Sequence, residues 1–207
     1  MTRYWGDLPE RFPDFQFVLT EGGEIVAEGH SAPLAWDGML EGLPKGVDGA
    51  LERAFQAEAT ADTLCALAIE IPLEHRGRGL SSRMVEAMAA IAGEHGLSSL
   101  IAPVRPSWKD RYPVTPIERY AEWRREDGLL FDPWLRVHER LGAEILKPEP
   151  ESLRITGTVA DWEEWTGMRF PETAQYVFPG GLALLSVSYE ADLGAYWEPN
   201  VWMRHSV

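Results

Sequence analysis

The stretch Arg76-Gly77-Arg78-Gly79-Leu80-Ser81-Ser82 joins an apolar segment directly to an amphipathic one. Before it, Leu64-Cys65-Ala66-Leu67-Ala68-Ile69-Glu70-Ile71 is a nearly continuous apolar run, short enough for a central strand and halted by Pro72. After it, Leu80, Met84, Met88 and Ile91 recur at helical spacing as far as Gly96, which predicts a helix over 80–95. Gly77 and Gly79 let the backbone bend sharply, so the N–H groups of residues 79–82 point outward from the helix start. Such donors and the positive end of the helix dipole favour an anion by about 0.3–1 kcal/mol per interaction. Arg76 and Arg78 add charge-assisted hydrogen bonds. A phosphate belongs at this junction.

Two common phosphate motifs fit poorly. A P-loop needs a Lys after its second Gly, and none stands here. A dinucleotide fingerprint needs a third small residue at position 82, where Ser82 is marginal. Read as Arg76, Gly79 and Ser81, however, the loop resembles the pyrophosphate-binding motif Gln/Arg-x-x-Gly-x-Gly/Ala of the GNAT superfamily, the acetyl-CoA-dependent N-acetyltransferases. Ser81 departs from the usual residue but is small. Ile71-Pro72-Leu73-Glu74-His75 before the loop is similar to that family's strand and Pro-containing turn. Further on, Val137-His138-Glu139-Arg140-Leu141-Gly142-Ala143 resembles its Tyr-x-x-Leu-Gly-Phe helix end. The resemblance covers about residues 62–146.

It implies an α+β GNAT fold, a mixed twisted sheet flanked by helices, in one domain over 1–207 with a core at about 12–146 and an elaborated part at about 147–207. It implies an N-acetyltransferase that moves an acetyl group from acetyl-CoA directly to an amine, either a small molecule or a Lys side chain. Arg76, Gly77, Arg78, Gly79, Leu80, Ser81 and Ser82 would take the pyrophosphate, and the backbone of Ile69 and Ile71 the pantetheine arm. The family's Tyr, which protonates the departing thiolate, is replaced by His138, so His138 is expected either as that acid or as a histidine packed beside CoA. Glu70 is the candidate base because its strand runs into the CoA site; pairing with an Arg or facing solvent is the alternative. Tyr112, Tyr120 and Tyr196 are reserve proton donors. A longer acyl group, an oxygen acceptor, and a CoA-binding sensor without turnover stay open as other readings on this fold.

Composition sets bounds. The chain has 207 residues, 45% of them hydrophobic, enough for one full core. Its net charge of −14 argues against nucleic acid and suits a cationic amine acceptor. No apolar run is long enough to span a bilayer and no signal-peptide pattern opens the chain, so no membrane partner and a cytoplasmic location are expected. The one cysteine, Cys65, lies in the apolar strand and reads as a core residue. The five histidines show no metal-ligand spacing, so no metal is expected. A homodimer is compatible with the sequence.

Elsewhere, 15–20 and 25–30 read as strands joined by the hairpin signal Glu21-Gly22-Gly23-Glu24. A loop over 36–49, a short helix over 50–57 and a strand over 98–104 follow, the last parallel to 64–71. Thr115-Pro116-Ile117-Glu118 predicts a capped helix over 116–126, ended by Gly128. Asp132-Pro133-Trp134 predicts another over 133–141, with Gly142 beyond it, and Thr158-Val159-Ala160-Asp161 a third. Strands are expected near 174–178 and 182–189. GNAT domains usually carry a strand and two helices before the hairpin, but here only residues 1–14 precede it, so the acceptor site must be built differently. The segment 105–131 and the region 148–207 are the expected specificity elements. Seven of the nine Trp residues (Trp108, Trp123, Trp134, Trp162, Trp165, Trp197 and Trp202) lie in the latter half, either as core anchors or as walls of a pocket. Trp162-Glu163-Glu164-Trp165 is a candidate cradle for a cation.

Overall fold

The computed structural model describes residues 4–56 and 59–207. Among them, eight strands share one sheet: β1 (Gln16–Glu21), β2 (Glu24–Leu34), β3 (Thr63–Glu70), β4 (Ser99–Val104), β5 (Glu144–Gly157), β6 (Ala174–Tyr176), β7 (Leu185–Ser188) and β8 (Leu193–Ser206). The helices are α1 (Leu8–Arg11), α2 (Gly46–Gln56), α3 (Leu80–Glu94), α4 (Ile117–Ala121), α5 (Pro133–Arg140) and α6 (Val159–Thr166). The order β1-β2-β3-β4-β8 is antiparallel except at β3 and β4, which run parallel as the strand–helix–strand pattern predicts. The β1–β2 hairpin turns through Gly22 and Gly23, both at positive φ, as a two-residue turn of this kind requires.

Period-two alternation divides the core between the two faces of the sheet. Leu34, Cys65, Ile101 and Trp202 pack with Leu51 of α2 on one face. Leu64 and Leu100 meet Val85 and Met88 of α3 on the other, where Ala102, Val201 and Met203 meet Leu135 of α5. Cys65 is fully buried, and burial pushes its thiol far up, so it is a core residue.

Three expectations change. The predicted helix over 116–126 is cut to Ile117–Ala121, with Pro116 itself at the N-cap in an extended conformation. After Trp123 the chain doubles back through an Arg124–Leu130 bridge, so Gly128 serves this turn instead of a helix end. The packing of Trp123 and Phe131 against Tyr120 outweighs the helical continuation. Second, the short helix expected over 50–57 begins earlier, at Gly46; its expected end, Ala57, lies outside the described residues. Third, the two longest strands, β5 and β8, escape the sequence reading, and β8 lies between β4 and β5. A core drawn at about 12–146 therefore omits a strand from the middle of the sheet. The extra chain is an insertion between the closing strands, where α6, β6 and β7 bury Val159, Trp162, Phe170, Leu185 and Val187 with Tyr196.

Lys109, fully buried, ties the 105–131 segment to this insertion: its Nζ donates to the carbonyls of Tyr112 at 2.8 Å and Leu182 at 2.6 Å. Burial pulls its amine from 10.5 down to about 8. The unfolded chain thus holds the proton where the folded one has released it, and stability is expected to rise by about 1 to 2 kcal/mol between pH 8 and 9.5. Denaturant titrations across that window should show the rise, and Lys109→Met should flatten it.

Candidate active site

The parallel pairing of β3 and β4 covers only Thr63–Cys65 against Ser99–Ile101. Beyond it β4 stays on β8 as far as Val104 and β3 stays on β2 as far as Glu70, so the two strands splay apart. The splay opens a cavity of about 930 Å³. Ala66 to Ile69 and Ile71 form one wall, Ala102 to Val104 the other, and the loop residues His75, Arg76, Gly77, Gly79, Leu80 and Ser81 close one end.

Local backbone geometry makes this end a donor surface. Gly77 has φ 77° and Gly79 φ 75°, a region L side chains seldom adopt, and Gly79 is the N-cap of α3. No side chain caps the helix and its first turn carries no acidic residue, so the N–H groups there are open to an anion. Arg76 is oriented by a 3.1 Å bond from Nε to the Ile71 carbonyl.

Of the residues expected to hold CoA, Ile69, Ile71, Arg76, Gly77, Gly79, Leu80 and Ser81 line the cavity, whereas Arg78 and Ser82 do not. Arg78 turns to the β1–β2 hairpin, where Nη2 bonds Glu21 Oε2 at 2.5 Å and Nη1 lies 3.1 Å from His75 Nδ1. Arg83 is 3.6 Å from the same carboxylate, and the hydrogen bond from Arg78 lowers the Glu21 carboxyl below its ordinary value.

Glu70 does not reach the cavity. It alternates with Ile69 and Ile71 and lies in a separate groove with Glu28 and Arg76, which removes the basis for its role as a base in contact with substrate. His138 does line the cavity, on α5, whose N-terminus is capped by Asp132. It is almost completely buried, and its Nδ1 lies 2.8 Å from His205 Nε2. Burial, with a smaller contribution from His205, pushes the His138 imidazole down from 6.5 to about 3. It is therefore neutral near pH 7, which corrects the expectation of a resting proton donor. None of the reserve donors lines the cavity: Tyr120 OH donates to Asp132 at 2.9 Å, Tyr196 OH accepts from Leu182 N at 3.0 Å, and Tyr112 packs edge-on against Trp123.

The cavity continues through the splay to the α2 face, where Trp5, Val47, Leu153, Glu198 and Asn200 line it. Even-numbered β8 residues share a face with Trp202, so Glu198 and Asn200 stand on the α2 side while α5 and His138 stand on the other. Glu198 is held by Arg105 at 2.9 Å, and Asn200 Nδ2 donates to the Pro103 carbonyl at 2.6 Å. Val47 brings α2 to this wall. The sequence reading missed it, together with His205, because β8 was not recognised as a strand. Of the seven tryptophans in the latter half, Trp134 alone lines the cavity; Trp202 lies in the core. Trp162 and Trp165 pack edge-on at 5.3 Å, and Glu163 between them pairs with Arg169, so the proposed cation cradle is occupied by a residue of the chain itself.

Among the described residues, no cluster of three His, Cys, Asp or Glu side chains could hold a metal ion, and no helix is long and apolar enough to cross a membrane. No family model matches the sequence. The arginine N-acetyltransferase avaD of Aspergillus versicolor is 27% identical over 99% of this chain and 81% of its own length. The loading GNATL domain of CurA from Lyngbya majuscula superposes with a TM-score of 0.62 at 20% identity, covering 95% of this chain and 78% of that one. The GphF GNAT-like decarboxylase in complex with isobutyryl-CoA gives 0.61 at 17% identity, covering 96% and 81%. The chain has the GNAT fold. Its splayed strands and uncapped glycine loop stand where the resemblance in the sequence places the acyl-CoA of a GNAT enzyme.

Proposed function

We propose that this GNAT enzyme transfers an acetyl group from acetyl-CoA to the nitrogen of a cationic amine, in a ternary complex with donor and acceptor on opposite faces of the sheet. One observation carries the reading: a single cavity runs from the glycine loop, through the β3–β4 splay, to the α2 wall. Arg76 and the N–H groups at the start of α3 would hold the diphosphate, and the unpaired edge of Ala66–Ile69 the amides of the pantetheine arm. Thioester activation belongs to the donor itself; the protein aligns it with the acceptor and excludes water. Glu198 stands at the acceptor end with its charge balanced by Arg105, so the activity of the avaD relative is what makes free arginine the first amine to test. The choice of acetyl over a bulkier acyl group rests on that relative too, so propionyl-CoA and isobutyryl-CoA belong in the same panel.

Calorimetry with acetyl-CoA tests the donor site. Arg76→Glu is expected to weaken binding about 10- to 100-fold by reversing a charge beside the diphosphate. Gly79→Val should do the same by forcing a β-branched residue into positive φ at a strain of about 1–3 kcal/mol. Undiminished affinity in both variants would refute the diphosphate assignment. CoA release with arginine, small primary amines and a Lys-containing peptide tests the transfer; binding without release for every acceptor would leave a CoA sensor as the function.

A further inference from the structure

We propose that the acceptor is an α-amino acid, and that Arg105 selects it by binding its carboxylate. The inference deepens the acyl-transfer reading and rests on it for one point, that the α2 end of the cavity receives the acceptor. Arg105 follows Val104, the last residue of β4, and shares its parity with Ile101, which packs on the α2 face. There its Nε lies 2.9 Å from Glu198 Oε2, and its Nη2 donates to the Gly180 carbonyl at 3.1 Å. Arg105 and Glu198 both line the cavity. Gly180 lies between β6 and β7 in a connection that is anchored two residues on, where the Leu182 carbonyl accepts from buried Lys109 and the Leu182 N–H donates to Tyr196 OH. Two separate elements thus hold the guanidinium in place before any ligand arrives.

A guanidinium carries several N–H donors and no acceptor. One N–H, on Nη2, bonds Gly180; among the described residues, the two on Nη1 have no protein acceptor. The Arg105 side chain is 47% exposed, so these donors meet solvent or ligand rather than protein. A planar guanidinium with free N–H groups matches a carboxylate in both shape and charge. The diphosphate does not need it, because Arg76 and the start of α3 stand at the other end of the cavity. Charge balance points the same way. Arg105 and Glu198 form a pair that is neutral as a whole, so a bare amine drawn to Glu198 is repelled by Arg105 at nearly the same range. The headgroup of an amino acid is itself a neutral pair, with ammonium and carboxylate on one carbon. It fits antiparallel to the protein pair, carboxylate on Arg105 and ammonium toward Glu198. A Lys side chain within a protein has no carboxylate beside its amine, and an alkyl diamine has none at all. Arg105 discriminates against both.

Calorimetry on the enzyme loaded with CoA, which carries no acyl group to transfer, reads recognition apart from chemistry. The probes are pairs that differ only in the carboxylate: arginine and agmatine, lysine and cadaverine, leucine and isoamylamine. In at least one pair the amino acid is expected to bind about tenfold tighter than its amine, or more. In Arg105→Met that ratio should fall to about one, and in Arg105→Lys, which keeps the charge and loses the planar fork, it should be intermediate. A general loosening of the site weakens both members of a pair, so the ratio reports the carboxylate contact itself. Equal affinity within every pair overturns the proposal, as does an unchanged ratio in a folded Arg105→Met. Should that variant fail to fold, an undiminished ratio in Arg105→Lys overturns it instead. Absence of binding by every amino acid of the panel overturns it too, even where CoA release with a small amine or a Lys-containing peptide upholds acyl transfer. Carboxylate-dependent binding without CoA release from acetyl-CoA has the opposite meaning: the carboxylate site stands and the transfer reading falls.

Discussion

Asp132→Ala is expected to cost about 4 kcal/mol or more, enough to bring a domain of ordinary stability close to unfolding. Asp132 is 99% buried, and five good hydrogen bonds converge on its carboxylate. Oδ1 accepts from the backbone N–H groups of Trp134 at 2.9 Å, Leu135 at 3.2 Å and Ser107 at 3.2 Å. Oδ2 accepts from Trp108 N at 2.8 Å and Tyr120 OH at 2.9 Å. Two of these bonds cap α5, a contribution of about 1 kcal/mol. The other three anchor the chain as it leaves β4 and join it to α4. Alanine would leave four backbone donors without their partner, each at about 1–3 kcal/mol where water cannot replace it. Both anchored segments line the cavity, through Arg105 and Ser107 on one side and Pro133, Trp134 and His138 on the other. Acetyl-CoA affinity should therefore fall along with stability. Asp132→Ser separates the two duties: a serine caps α5 but is too short to hold Ser107 and Trp108 as well. It is expected to recover about 1 kcal/mol of the loss in denaturant titrations. Equal stability of wild type and Asp132→Ala would show that the convergence is redundant.

The donor half of the site was legible in the sequence because it is local. Arg76 to Ser81 occupy six consecutive positions, the strand before them is a short, nearly unbroken apolar run, and the helix after them carries a clear period-3.6 signal. Asp132-Pro133 and Thr158–Asp161 were legible for the same reason, since a cap and its helix are neighbours in the chain. The acceptor half depends on contacts distant in sequence. Asn200 meets Pro103 and His138 meets His205 only because β8 enters the sheet beside β4. β8 itself gave a weak pattern: its residues 199–203 are buried on both faces, so polar and apolar positions do not alternate there. Glu70 illustrates the converse. Its position in the strand was right, but a single residue of register sends a side chain to the other face, and only the sheet shows which face holds the cavity.

Acid should destabilise the protein earlier than its carboxylates require, because two buried histidines are neutral in the fold. His138 titrates at about 3 in the folded chain and near 6.5 when unfolded. Between these values the unfolded state binds the extra proton, so stability present above pH 6.5 is lost as pH falls. For His138 the loss between pH 7 and pH 5 comes to about 2 kcal/mol. Burial also lowers His205, while its bond to Leu141 works in the opposite direction, so His205 adds to the loss with the same sign. Most carboxylates take up protons below this window, which keeps the histidine contribution separable. His138→Phe leaves His205 Nε2 without its partner and should be less stable than wild type at pH 7. Its stability should nonetheless fall by about 2 kcal/mol less on going to pH 5. Denaturant titrations of both proteins at half-unit steps measure that difference in slope. Parallel curves would mean that His138 takes up a proton in the folded state above pH 5, and a neutral ring at position 138 would then be ruled out.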